Sequence, residues 1–175
     1  KGVEMTAIAA LNNAGLAPIE REAKEGLALI NGTEGMLGML IMACSDLYQL
    51  ATVADITAAM SIEGLLGTDQ VFASELHAPL RPQVGQAASA ANIYAMLKGS
   101  GLVASHREND SRVQDAYSLR CAPQVAGAVR DTIEYASLIA TRELASAIDN
   151  PVVLEDGRVQ SNGNFHGAPV GYVLD

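Results

Sequence analysis

The sequence predicts a mainly α protein, a bundle of long helices with one small β-hairpin near residues 152–160. Residues 34–65 (EGMLGMLIMACSDLYQLATVADITAAMSIEGL) form a long helical run that is apolar nearly all round, as expected of a helix buried in a large assembly. Small residues abound while aromatics are 4% and Trp is absent, so the core must be filled by helices lying close together. Asp156-Gly157 then sits between two short apolar-alternating runs, a hairpin signal.

In chain order, residues 4–14 (EMTAIAALNNA) predict a short helix closed by Gly15. Residues 16–24 read as extended, with Pro18 as punctuation. EGLALINGT (25–33) is an apolar run ending in Asn-Gly, a turn dipeptide, which places Asn31 at the end of a buried segment. In the long helix from Glu34, Asp46 and Asp55 interrupt the apolar run and favour a soluble core helix over a membrane span. HAPLRP (77–82) is a proline-bounded loop with Pro82 suited to a first helical turn. The helix that follows runs to Lys98 and ends at Gly99–Gly101.

Residues 104–115 (ASHRENDSRVQD) are the most polar stretch and predict a surface or active-site loop. Residues 122–149 predict a second long helix, with Glu134, Arg142 and Glu143 opposite Val125, Ile133, Leu138 and Ile139. Asn150-Pro151 stops it. VVLEDGRVQ predicts a hairpin with a type I′ turn, and the Gly-rich segment after it leads into a further helix. The whole is expected to be one partial domain, 1–175, cut from something larger.

The composition, 49% hydrophobic and 18% charged, is that of a globular chain. A net charge of −9 argues against nucleic acid or an anionic membrane as partner, since both are bound through Lys and Arg. It suits a soluble cytoplasmic protein. Cys44 and Cys121 lack a CxxC pattern and read as buried thiols; His77, His106 and His166 are too scattered for a metal-ligand pair, so no metal is expected. No signal peptide is visible, and the missing initiator Met predicts a fragment or processed product.

Three segments carry chemistry. In QDAYSLRCAPQ (114–124), Gln114, Tyr117 and Arg120 recur every third residue, and one helical turn would align them. An amide, a phenol and a guanidinium on one face suit an amino acid, because Arg grips a carboxylate bidentately and Tyr can donate or shuttle a proton. The same spacing fits equally a surface Arg and a partly buried Tyr at a helix start. Asn31 in LINGT is by itself a turn residue. SNGNFHG (161–167) offers glycines that admit a ligand close to the backbone and a Phe165 that could wall a pocket, or a plain loop anchored by that ring.

Taken in order, KEGLALINGT, VQDAYSLRCAPQV, DNPVV and SNGNFHG resemble the aromatic amino-acid lyase family, from about Lys24 to Asp175. QDAYSLRCAPQ with NFHG is most similar to the branch of that family that acts on histidine; phenylalanine-specific members usually have Arg where Ala116 stands and Gln at the place of His166. The resemblance implies an almost all-helical homotetramer whose active sites each draw on three subunits. It implies the electrophile 4-methylidene-imidazol-5-one (MIO), formed from an internal Ala-Ser-Gly, and elimination of ammonia from an amino acid. On this resemblance Tyr117 and Asn31 are catalytic, while Arg120, Asn31, Gln114 and Phe165 bind substrate, with Arg120 on the carboxylate and Gln114 and Phe165 beside the electrophile. No Ala-Ser-Gly occurs in the chain. The family places that tripeptide and the basic tyrosine upstream, and a substrate-binding glutamate downstream, so the fragment alone is expected to be inactive. Tyrosine or phenylalanine lyases and aminomutases of the same family, or a non-catalytic helical oligomerisation module, are the alternatives.

Overall fold

The computed structural model describes residues 2–174; Lys1, on which the reading of the chain's start rests, and Asp175, the last residue of the resemblance, lie outside them. The chain is mainly helical. Its contacts group into two units, one built from residues up to Thr33 with Ala147–Phe165, the other from Glu34–Ser146 with the residues from His166 on.

In the first unit, α1 (Ala7–Asn13) begins where the Thr6 hydroxyl accepts the Ala9 N–H at 3.3 Å, three residues later than the sequence pattern suggested. It closes as expected at Gly15 (φ 70°), with Leu16 N–H on Leu11 O at 2.9 Å and Gly15 N–H on Asn12 O at 3.0 Å. The segment foreseen as a buried apolar run is instead a single turn, α2 (Glu25–Ala28), and its Leu27, Leu29 and Ile30 are exposed. Lys24 pairs with Asp149 and donates to Pro151 O.

The hairpin forms where expected, β1 (Val152–Val153) antiparallel to β2 (Val159–Gln160), with Val152 opposite Gln160. Its turn is not type I′, which needs positive φ at both central residues. Here Gly157 N–H closes on Leu154 O at 2.9 Å and only Gly157 is left-handed (φ 82°). Asn150 braces the base, its Oδ1 accepting from Asn162 N–H at 3.0 Å and from Ser161 Oγ at 3.2 Å.

The second unit is a three-helix core: α3 (Glu34–Gly64), α4 (Val84–Leu97) and α7 (Ala122–Leu144), with α7 packed on both others. The short helices α5 (Gly101–Ser105), α6 (Tyr117–Arg120) and α8 (Ala168–Gly171) flank it. α4 starts two residues after Pro82, with Gln83 as its cap, so Pro82 ends the loop and does not enter the first turn. The long helix predicted to reach Asp149 ends at Leu144. There Ser146 turns back, its N–H on Glu143 O and its hydroxyl on Arg142 O, both at 3.0 Å, and residues 147–150 run into the hairpin.

α3 buries one stripe, Leu37, Leu40, Cys44, Ala51, Asp55, Ala59 and Ile62, which keeps the three-and-four spacing of a helix face. Its other faces are open: Met39, Met42, Leu50 and Met60 are all exposed. α7 buries Ile133, Ala136 and Ala140, whereas Val125 and Leu138, expected inside, are exposed.

The core has two apolar ends. One joins Leu37, Leu40 and Cys44 to Ile133, Ala140 and Val170; the other joins Ile62, Phe72, Ile93, Leu97 and Val103. Each fully buried Ile or Phe contributes about 1.5–3 kcal/mol. Between them lies a polar clamp. Asp55, 1% exposed, accepts from Arg130 Nη2 at 2.6 Å, from Asn92 Nδ2 at 2.8 Å and from the Ser89 hydroxyl, tying α3, α4 and α7 together. α4 and α7 meet backbone to backbone at Gly85 and Gly127, where a Cβ on either would strike the other helix's main chain. The Gly85 N–H donates to Asp131 Oδ1 at 2.7 Å beside this crossing. A charged residue buried and paired within the helix packing places α3 in a protein core, although its length and apolarity alone would pass for a membrane span.

Candidate substrate-binding site

The residues that could recognise an amino acid sit where a pinned loop enters α6. The loop is held to the end of α3. Asp115, 8% exposed, accepts the Thr68 N–H at 2.7 Å and lies 3.6 Å from Arg112 Nη1. Arg107 pairs with Asp69 at 2.8 Å, and Arg112 donates to Leu66 O. Arg112 also grips Asp110 at 2.8 Å, and the hydrogen bonds it donates hold the Asp110 carboxyl down to about 2. At Ala116 the backbone is extended (φ −54°, ψ 144°); α6 occupies one turn, and Cys121 (φ −99°, ψ 7°) separates it from α7, whose first turn carries the buried Pro123.

Within this frame Tyr117 and Arg120 come together. Tyr117 is exposed, Arg120 is half-buried, and the guanidinium carbon stands 5.5 Å from the centre of the Tyr117 ring. The i, i+3 spacing read from the sequence therefore makes a pair. It does not reach Gln114, because the helix starts at Tyr117. Gln114 instead lines an open hollow of about 320 Å³ with His106, Arg107, Asp110 and Arg112, and neither Tyr117 nor Arg120 borders that hollow.

Asn31 and Phe165 belong to the first unit. Asn31 is exposed just beyond α2, and its side chain makes no hydrogen bond among the described residues. Phe165 is exposed in a tight turn shaped by Asn162, whose Oδ1 accepts the Asn164 N–H at 2.8 Å. In the second unit His166 Nδ1 accepts the Ala168 N–H at 3.1 Å, at the start of α8.

Gln124 was passed over in the sequence, being one more polar residue in a helix start. Its Oε1 and the Nε of Arg120 are both closed off from solvent and lack a hydrogen-bond partner among the described residues. A buried donor and a buried acceptor one turn apart were legible only as an i, i+4 spacing.

In the second unit the Gln114 amide and the Tyr117 hydroxyl make no hydrogen bond among the described residues, and Arg120 is unpaired at Nε. A neutral phenol against one guanidinium suits the carboxylate and amino groups of an α-amino acid.

Known proteins resemble this chain along its whole length. The family model described as aromatic amino acid lyase matches residues 1–175. The chain is 69% identical over 161 residues to a histidine ammonia-lyase of Streptomyces coelicolor, covering 92% of this chain and 31% of that protein. It is 49% identical over 181 residues to one of Sorangium cellulosum, covering 100% and 35%. Among solved structures, tyrosine aminomutase from Streptomyces globisporus superposes with a TM-score of 0.82 at 38% identity, over 95% of this chain and 35% of that one. Phenylalanine ammonia-lyase from Rhodosporidium toruloides gives 0.80 at 31% identity, over 95% and 25%. The chain thus spans about a third of the length of the curated relatives it matches. With the family model running from end to end, the chain belongs to the aromatic amino acid lyase family.

Proposed function

We propose that this chain is a central part of a histidine ammonia-lyase, which eliminates ammonia from L-histidine without oxidation to leave urocanate. The observation that carries the reading is the 69% identity to a protein of that name across the segment holding Tyr117 and Arg120. A tyrosine- or phenylalanine-directed lyase, or an aminomutase, is the second reading, favoured by the 38% identity to tyrosine aminomutase.

The chemistry falls to this chain's residues as follows. Arg120 binds the substrate carboxylate with two parallel N–H donors. Tyr117, covering one face of that guanidinium, directs its hydroxyl at the reacting groups and orients them. Asn31 donates its amide to the substrate amino or carboxylate group, Gln114 lies beside the electrophile and Phe165 borders it. MIO, when present, would supply the electrophilic carbon that makes the amino group a leaving group, with Gln114 beside it, and its Ala-Ser-Gly precursor is absent from these 175 residues.

The exposed apolar faces of α3 and α7 support a homo-oligomer in which they are covered. We place the enzyme in the cytoplasm on its acidic composition. The test is the full-length protein given L-histidine, L-tyrosine or L-phenylalanine, with the unsaturated acid followed by ultraviolet absorbance. Turnover of histidine at least a hundredfold over the other two supports the reading, and preference for tyrosine or phenylalanine replaces it with the second. The 175-residue chain alone should form no urocanate above background.

A further inference from the structure

We propose that Gln124 is a positioning residue for Arg120: its side-chain carbonyl takes up the Arg120 Nε–H and leaves the two terminal nitrogens to meet the substrate carboxylate end-on. This rests on the lyase reading above.

Gln124 follows Arg120 by four residues, so the two side chains rise from one face about a turn apart. At Cys121, between them, the backbone leaves the helix (φ −99°, ψ 7°) and the Gln124 N–H bonds Cys121 O, three residues back, at 3.1 Å, so a tight turn carries the chain from α6 into α7. Pro123, fully buried, fixes the backbone just before Gln124. Arg120 Nε is a donor, Gln124 Oε1 is an acceptor, and both are shut off from solvent without a partner among the described residues. Unpaired buried groups of complementary sense are costly, and a hydrogen bond between the two would satisfy both.

The consequence for recognition follows from the shape of a guanidinium. It can grip a carboxylate through its two terminal nitrogens or sideways through Nε and one terminal nitrogen. A carbonyl on Nε removes the sideways mode. The Tyr117 ring, 5.5 Å from the guanidinium carbon, limits tilting on one face. What remains is a single edge with two parallel donors, held still before the substrate arrives.

The experiment uses the full-length enzyme and two competitive inhibitors, imidazole-propanoate and imidazole-propanol, which differ in having or lacking the carboxylate. Gln124→Met keeps the length and removes the acceptor. It should weaken the acid about tenfold, one decade for one charge-assisted hydrogen bond, and raise KM similarly, with kcat within about threefold and the alcohol unaffected. Should Gln124→Met fail to fold, Gln124→Ala carries the same expectation. Equal weakening of both inhibitors overturns the inference. So does an unchanged affinity in Gln124→Met while Arg120→Lys loses the acid, which leaves the carboxylate clamp standing. If Arg120→Lys also binds the acid normally, the clamp fails and this inference with it.

Discussion

The ion pair between Asp55 and Arg130 gives the sharpest test of how the core is held. Asp55 is 1% exposed and Arg130 15%, so both have left most of their water. Asp55→Ala strands the guanidinium among α3, α4 and α7 with one remaining side-chain hydrogen bond among the described residues, to the Ser89 hydroxyl at 3.4 Å. An uncompensated charge at such a site costs about 3–5 kcal/mol. Arg130→Met leaves the carboxylate better served, since Asn92 at 2.8 Å and Ser89 still donate to it, and should cost less, about 2–3 kcal/mol. The double variant Asp55→Ala with Arg130→Met removes both charges and mainly orphans Ser89, at about 1 kcal/mol, because a buried pair replaced by apolar groups is often nearly neutral.

Calorimetry of the full-length protein at one concentration and scan rate checks the order. At about 2–4 °C per kcal/mol for a unit of this size, Asp55→Ala should lower the transition by about 6–20 °C. Arg130→Met should lower it less, and the double variant least. The two charges are then coupled by about 4–7 kcal/mol. Strict additivity of the single changes would refute the argument, because it would mean that each charge is solvated by something other than its partner.

In the intact enzyme Arg120→Lys should cost about 2–5 kcal/mol in kcat/KM, since an ammonium cannot reproduce the bidentate grip; steady-state kinetics with both constants unchanged would return Arg120 to a plain helix-start residue. Tyr117→Phe should lower kcat more than it raises KM, and the reverse pattern would assign the hydroxyl to binding alone. Gly127→Ala places a methyl against the Gln86 backbone, where nothing flexible can yield, and should destabilise by about 3 kcal/mol or more; an unchanged thermal transition counts against the backbone contact at this crossing. Asp110 titrates at about 2 in the folded chain, against an ordinary 3.8, so its bond to Arg112 stabilises the loop fully above pH 3.8 and fades as pH falls toward 2. Pepsin cleavage within 106–115 should rise over that interval, and Arg112→Gln should abolish the pH dependence.

The three long helices were legible because their periodic apolar residues are also the ones that pack, and α3 shows why the finer picture was not. A helix apolar all round does not reveal which stripe its neighbours choose. Asp55, read as an interruption of the run, lies on the buried stripe between Ala51 and Ala59. Its burial depends on Arg130, 75 residues later, which no local pattern connects to it. The same limit governed the site. Tyr117 and Arg120 were paired correctly by a spacing of three because both lie within one helical turn, while Gln114 carried the same spacing across a helix start that the pinned Asp115 and extended Ala116 decide. The hairpin's place followed from its turn signal, yet the turn type depended on which residue closes on Leu154. Spacing therefore predicts alignment only where the backbone is already known to be helical. Arg120 and Gln124 carry a helical spacing across the turn at Cys121, and there it is the burial of two unpartnered groups of opposite sense, not the spacing, that links them.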